Sequence, residues 1–414
     1  MSSEPRATVG KAPEAPVERG FVSGQIHRVL ENVRAGEFGS WPIIIGLVII
    51  TAFFYSKNAN FVSGSNLNTV ISQVAALATL AIGITFVLLI AEIDLSIAYV
   101  SAFAGAVVVA ELVTRHAHLS GLIAIPIAVA VGALYGMVQG MFVAYLRVPS
   151  FVVTLAGLLL AEGLVLKVIG SVPIYINDKW VLDLGNYTFT RGVSWIIATV
   201  VSVLYALAVL STLLRRRRDK VETWNLWYAL VKIVAVSGAT FGLVDWVNHA
   251  RGGRGLSVAL VIVLLLIVFW TFIATRTTFG RHVYAVGGNA EAARRAGINV
   301  PRITIMVFMI SGMMAALGGA MDASRHTSAY PLAGSDPLLM YAIAATVIGG
   351  TSLFGGRGQV KGALFGALVI ELIDNGCNML GYSSSTRFIA TALILLGAVT
   401  LDTVARRRQE KFGR

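Results

Sequence analysis

The stretch Thr278–Val300, TFGRHVYAVGGNAEAARRAGINV, is a polar interruption between two long apolar runs in a chain of 414 residues. Its residue order predicts a short capped helix lying on a membrane surface. Asn289 is placed to accept hydrogen bonds from the free N–H groups of the first turn, and Glu291 stands at the positive end of the helix dipole. Arg294 and Arg295 fall near the negative end, Gly297 supplies a left-handed C-terminal cap, and Pro301 suits the first turn of the next helix. A rigid helix held between two spans is a handle by which a cytoplasmic partner can move them. The plainer reading is a connecting loop whose arginines only fix topology.

Hydrophobic residues make up 56% of the sequence and charged residues only 13%, with a mean hydropathy of +0.77. Average chains carry about 25% charged residues, so the composition excludes an ordinary soluble protein. It predicts an all-α polytopic integral membrane protein. A single cysteine, Cys377, rules out an intrachain disulfide and gives no support to a Cys-built metal site. The formal net charge is +12, and 20 of the 33 Lys and Arg fall within residues 1–40, 215–220, 276–302 and 406–414. Such clusters mark the cytoplasmic face, where anionic lipid adds to the attraction. No basic stripe interleaved with aromatics points to nucleic acid.

Residues 1–40 read as a cytoplasmic tail, 41–404 as the membrane domain and 405–414 as a basic cytoplasmic tail. Apolar runs predict spans over 41–55, 67–91, 97–113, 119–146, 151–170 and 193–214, then 224–247, 256–275, 301–321, 337–348, 360–378 and 387–404. That even number of crossings leaves both termini in the cytoplasm. Residues 171–192 form an outer interfacial segment anchored by aromatics. Residues 215–255 open on Arg215 to Arg218 and surround the least apolar span.

Polar residues inside these runs are the candidate pathway groups. Glu92, Asp94 and Ser96 in AEIDLS either cap a helix at the membrane surface or break a helix whose backbone lines a pathway. Glu162 must face the protein interior, a watery cavity or a partner helix. Glu371 and Asp374 are neighbours on one helical face, with Asn375 beside them; they suit sugar hydroxyls as acceptors, or mark a wetted helix end. Arg191, Arg251, Arg254 and Arg325 fall in predicted outer segments and are candidate contacts for an acidic partner surface. His116 and His118 lack a third metal ligand. The glycine-rich run Gly349–Gly362 looks like a phosphate loop, but no G-x-x-x-x-G-K-[ST] occurs, so the glycines are expected to let backbones approach at a broken helix. No nucleophile and base constellation suggests an enzyme.

FGRHVYAVGGNAEAARRAGINV resembles the coupling segment of ABC importer permeases of the ribose, galactose, arabinose and xylose group. AEIDLS (Ala91–Ser96), VPSFVVTLAG (Val148–Gly157) and VIGGTSLFGGRG (Val347–Gly358) resemble the same family, in order and spacing, over most of residues 67–404. The resemblance implies that Gly287, Gly288, Asn289, Glu291, Ala292, Ala293, Arg294 and Gly297 couple this chain to a cytoplasmic ATPase that carries ATP and Mg. It also implies a second permease copy, an extracytoplasmic sugar-binding protein and a bacterial inner membrane. The fold expected from it has about ten to twelve transmembrane helices in two pseudo-symmetric bundles, and Ala102–Val108 and Ala363–Val369 are faintly alike. The 215–255 insertion resembles the xylose-type members. After AEIDLS the family continues with Val, Gly and Ser, whereas Ile97, Ala98 and Tyr99 here add bulk at the break.

The expected function is a permease subunit for a monosaccharide, a pentose such as xylose, that binds no cofactor itself and works by alternating access. Its interior is expected to be lined more by small and apolar groups than by a tight binding site. Rival readings are an ion-gradient carrier using Glu162 or Asp374, a membrane enzyme, and a permease for branched-chain amino acids.

Overall fold

A computed structural model describes residues 41–115, 117–218, 226–249 and 255–412. The 1–40 tail, His116, Arg251, Arg254 and residues 413–414 lie outside the described residues. Each predicted span corresponds to a helix: α1 (Trp41–Lys57), α2 (Gly64–Leu89), α3 (Ile97–Arg115), α4 (Gly121–Tyr145) and α5 (Ser150–Ile169). A surface helix α6 (Lys179–Asn186) follows, then α7 (Arg191–Arg218), α8 (Leu226–His249) and α9 (Val258–Arg276). The polar stretch holds α10 (Thr278–Gly288) and α11 (Ala290–Arg295), before α12 (Val300–His326), α13 (Asp336–Ile348), α14 (Gly362–Met379) and α15 (Ser384–Phe412). Among the described residues, eight helices are long and apolar enough to cross a membrane, and three shorter apolar helices join them. The protein is an all-α, multi-pass membrane protein.

The centre is α2, whose side chains from Val74 to Leu89 are all buried, and α12 lies against α2, α3 and α4. Helices α7 and α8 pair with each other and turn most of their surface outward, where lipid would meet it. In lipid there is no water-driven pull between apolar helices, so close backbone approach at small residues holds them together. Gly132, Gly136 and Gly140 form such a stripe on α4. A methyl group added at Gly132 would run into the carbonyl of Gly312, and one added at Gly312 would run into the carbonyl of Gly132. Gly312→Ala should therefore cost about 1–3 kcal/mol of overpacking and lower the thermal midpoint of the detergent-solubilised protein. Gly238→Ala on α8, with nothing within 4 Å of the added carbon, should leave the midpoint unchanged.

Two expectations change in the structure. The ninth span does not end near Met321: α12 runs on to His326, because Asp322 pairs with Arg325 at 2.9 Å and His326 at 3.3 Å one turn on, and Thr327 closes the helix at φ +57°. Arg325 is thus part of a helix and of an ion pair, not of an exposed outer loop. The polar stretch holds two helices rather than one. Thr277 accepts from Gly280 N at 3.2 Å to start α10, and Asn289, at φ −163°, ends α10 while accepting from Ala292 N at 2.9 Å to start α11. An N-cap needs extended backbone, so the residue that begins the second helix must interrupt the first.

The outer connections are also tied together. Ile174–Tyr175 pairs antiparallel with Ser328–Ala329, and Asp178 accepts from both Val181 N and Gly121 N, at 3.0 and 3.1 Å. This clip joins the segment before α6 to the end of α12.

Candidate functional site

AEIDLS is a true interruption between α2 and α3. Ala91 takes a left-handed φ of +60°, and the chain then turns Asp94 inward, where it is 4% exposed. One Asp94 oxygen accepts from Ser96 N at 2.9 Å and Ser96 Oγ at 2.6 Å, and the other accepts from Ser311 Oγ on α12 at 2.6 Å. Gln139 on α4 donates to Ser96 Oγ at 3.0 Å. Asp94 and Ser96 therefore form a polar node tying the break to two other helices; both are spent on protein partners. Ser150, the first residue of α5, accepts from Ile93 N at 3.3 Å and hydrogen-bonds the Glu92 carboxyl. Burial pushes the Glu92 carboxyl above its ordinary value, and the Ser150 bond partly offsets this.

The same break reaches the polar stretch. Gly356 N donates to the Leu89 carbonyl at the end of α2 at 2.9 Å, and Tyr284 Oη on α10 donates to Gly358 O at 2.8 Å. Gly287 lies so close that an added Cβ would collide with the Leu89 carbonyl and reach Gly356 N at 2.7 Å. Gly355 and Gly356 take φ of +80° and +70°, conformations that need glycine. All four sequence motifs thus converge at one end of the bundle: AEIDLS, the start of α5, the end of α10 and the glycine-rich turn between α13 and α14.

Beyond this knot, α11 projects outward. Ala293 is buried, whereas Gly288, Asn289, Glu291, Ala292, Arg294 and Gly297 are exposed. Glu291 pairs with Arg294 at 3.0 Å and with Arg295 at 3.4 Å, and Gly297 at φ +85° closes the helix. The element offered to the outside is small, rigid and backed by the knot.

On the opposite side of the break lies a cavity of about 180 Å³ among α2, α3, α12, α13, α14 and the 330–335 connection. Glu371 and Asp374 both reach it. Asp374 accepts from Tyr341 Oη at 3.1 Å, Asn378 Nδ2 at 2.9 Å and Arg387 at 3.1 Å. Asn375 points elsewhere and accepts from Asn66 Nδ2 at 2.9 Å. Glu162 is also separate, accepting from Tyr99 Oη at 3.0 Å. Arg191 is exposed at the start of α7.

Gln73, Asp322, Arg325, Tyr330 and Tyr341 line this cavity and were not read as pathway groups from the sequence. Gln73, next to Ser72, and Tyr341 are polar residues inside apolar runs, a signal that sequence reasoning can use; Asp322 and Arg325 look like the start of a loop. Four charged side chains reach the wall, alongside small and apolar residues such as Ala76, Gly318 and Ala333. Among the described residues no group of three His, Cys, Asp or Glu is arranged to hold a metal ion.

Residues 66–401 match the family described as the permease component of the branched-chain amino acid transport system. This chain belongs to that permease family. The permease is 33% identical over 371 residues to the xylose transport system permease protein of Escherichia coli strain K12, covering 88% of this chain and 92% of that one. It is 32% identical over 381 residues to the corresponding Haemophilus influenzae protein, covering 88% and 96%. To the ribose import permease protein of E. coli K12 it is 33% identical over 362 residues, covering 87% and 92%. No solved structure matches the permease. The match to the family starts in α2 and ends in α15, so it contains the knot and the cavity and leaves out α1. The permease is a transport component, not an enzyme.

Proposed function

We propose that the permease forms the membrane pathway of an ATP-driven importer for a monosaccharide, with a pentose such as xylose as the first substrate to test. The xylose and ribose permeases to which it is similar support the substrate class. The knot at Gly287 is the observation that carries the mechanism. In this reading α11 docks on a cytoplasmic ATPase that binds ATP and Mg, and two permease copies receive sugar from an extracytoplasmic binding protein. Closure of the ATPase displaces α10 and α11. Because Gly287 is seated on both Leu89 and Gly356, the displacement reaches the α2–α3 break and the α13–α14 turn together. Two helix pairs then move as one between inward- and outward-open states.

The basic clusters at 215–220 and 276–302 support a cytoplasmic position for the knot and both termini. Arg191 remains a candidate contact for the binding protein, and Arg251 and Arg254 keep that role from sequence alone. Arg325 is withdrawn from it, because the guanidinium is held against Asp322 inside the cavity wall.

The test is uptake of labelled xylose, with ribose, galactose and leucine as competitors, in cells carrying the permease with its neighbouring ATPase and binding protein. An Asn289→Pro, Arg294→Glu variant that inserts normally should lose uptake, as should the ATPase deletion. Uptake that persists in both and collapses with the ion gradient would make the chain a gradient-driven carrier and end this reading.

A further inference from the structure

Far from the knot and the polar cavity, a groove of about 500 Å³ runs along the outside of the bundle between α1, α8 and α14. Val48, Ala52 and Tyr55 on one stripe of α1 line it, together with Leu368 and Leu372 on α14 and Trp246 on α8. Two attachments hold its walls in place. The Phe54 ring is seated on Gly376, where an added Cβ would collide with it, and so fixes α1 to α14. At the end of the bundle opposite the knot, Trp246 Nε1 donates to the Val62 carbonyl at 3.0 Å. Between these points α8 packs on α7 and α2, whereas α1 packs on α14. The groove is the space left between them.

Its chemistry specifies an apolar occupant. No charged side chain lines it, the only side-chain polar groups are the Thr51 and Tyr55 hydroxyls and the Trp246 indole, and that indole is engaged by Val62. Water does not fill an apolar cavity, and an empty one forfeits the dispersion contacts of its walls. A helix is too thick. From Leu47 to Tyr55 the groove runs about 12 Å at about 1.5 Å per residue, so its volume gives a cross-section of about 40 Å², against about 80–110 Å² for a helix about 10–12 Å across. Hydrocarbon chains are thinner and can bend to the wall. Tyr55 and Trp246 gather at one end, as aromatics do at the level of lipid headgroups.

We propose that this groove binds the acyl chains of one phospholipid of the surrounding bilayer, a structural ligand that joins α1 and α8 to α14. The site selects chains and not headgroup charge, because its lining carries no charge. Leu368 and Leu372 stand on the same helix as Glu371 and Asp374, so the lipid backs the helix that lines the polar cavity. The inference rests on the chain's crossing a membrane and is independent of the solute it transports.

The experiment uses the purified full chain, washed in detergent until bulk lipid is gone and then offered phosphatidylethanolamine or phosphatidylglycerol, with the retained phospholipids counted per chain by native mass spectrometry. Wild type should keep one more phospholipid than Ala52→Trp, whose indole occupies the groove, and should do so with either headgroup. Val234→Trp, on an exposed part of α8 outside the groove, should keep as many as wild type. Equal retention by wild type and Ala52→Trp, or retention of the anionic lipid alone, would overturn the site. So would dissociation of a dimer by Ala52→Trp without loss of lipid, which would give the groove to a second copy of the chain. Thermal midpoints supply a second reading with the smaller Ala52→Phe, because a ligand bound only by the folded state stabilises it. Adding phospholipid to the delipidated protein should raise the midpoint by a few degrees in wild type and by less in Ala52→Phe; the same rise in both removes the site.

Discussion

Alanine at position 287 is expected to abolish import, while alanine at position 288 leaves most of it. The two glycines are adjacent, yet a Cβ on Gly287 collides with the Leu89 carbonyl and approaches Gly356 N, whereas one on Gly288 has nothing within 4 Å. To admit the methyl group, α10 must withdraw from the α2 terminus or the bond from Gly356 N to Leu89 O must break. Overpacking of this kind costs about 1–3 kcal/mol, a factor of roughly 5–150 in the population of the docked arrangement. Neither obstacle is a flexible side chain that can turn away. The consequence is loss of the link between α11 and the two breaks, so ATP hydrolysis continues while sugar uptake falls about a hundredfold. Reconstituted importer measured for both activities decides the matter; equal uptake in Gly287→Ala and Gly288→Ala would show that the knot transmits nothing.

Asp94→Leu is expected to prevent accumulation of folded permease, whereas Asp94→Asn should be partly tolerated. Leucine removes the acceptor for Ser96 N, Ser96 Oγ and Ser311 Oγ at once, in a place where Asp94 is 4% exposed and Ser96 and Ser311 are fully buried. Ser96 Oγ can still donate to Gln139 Oε1 at 3.2 Å, but Ser96 N and Ser311 Oγ are left unsatisfied at about 1–3 kcal/mol each, a large share of the ~5–15 kcal/mol stability of a typical domain. Asparagine keeps one acceptor oxygen, and a serine hydroxyl can rotate to accept from its NH2. The yield of monodisperse protein after detergent extraction, followed by its thermal midpoint, separates the variants. Normal yield and midpoint for Asp94→Leu would return Asp94 to the pathway and remove it from the framework.

The helical spans were legible because about 20 apolar residues are what a bilayer demands, and each run from 64–89 to 300–326 satisfies that locally. The end of α12 was not, since Asp322, Arg325 and His326 carry the composition of a loop. They become a helical turn only through their mutual pairs and the Thr327 cap. The glycine stripe of α4 was present in the spacing of 132, 136 and 140, but the sequence did not name its partner. The two-residue ladder between 174–175 and 328–329 had no local signal, because isolated dipeptides carry no strand pattern.

The site divides in the same way. Asn289 as a cap, Glu291 beside the helix start and Gly297 at positive φ follow from hydrogen bonds and steric limits within ten residues of chain, so the sequence alone determined the handle. It also determined that the chain crosses a membrane many times. Only the tertiary structure decided what that handle touches and which polar groups share a cavity. Four residues along an α-helix turn the chain by about 400°, so Asn375 stands only about 40° from Glu371, yet its side chain meets Asn66, 309 positions away, while Glu371 and Asp374 line the cavity. Gln73 and Arg325 line the same cavity as Glu371, because where a helical side chain points is local, but what stands in front of it is set by how helices pack.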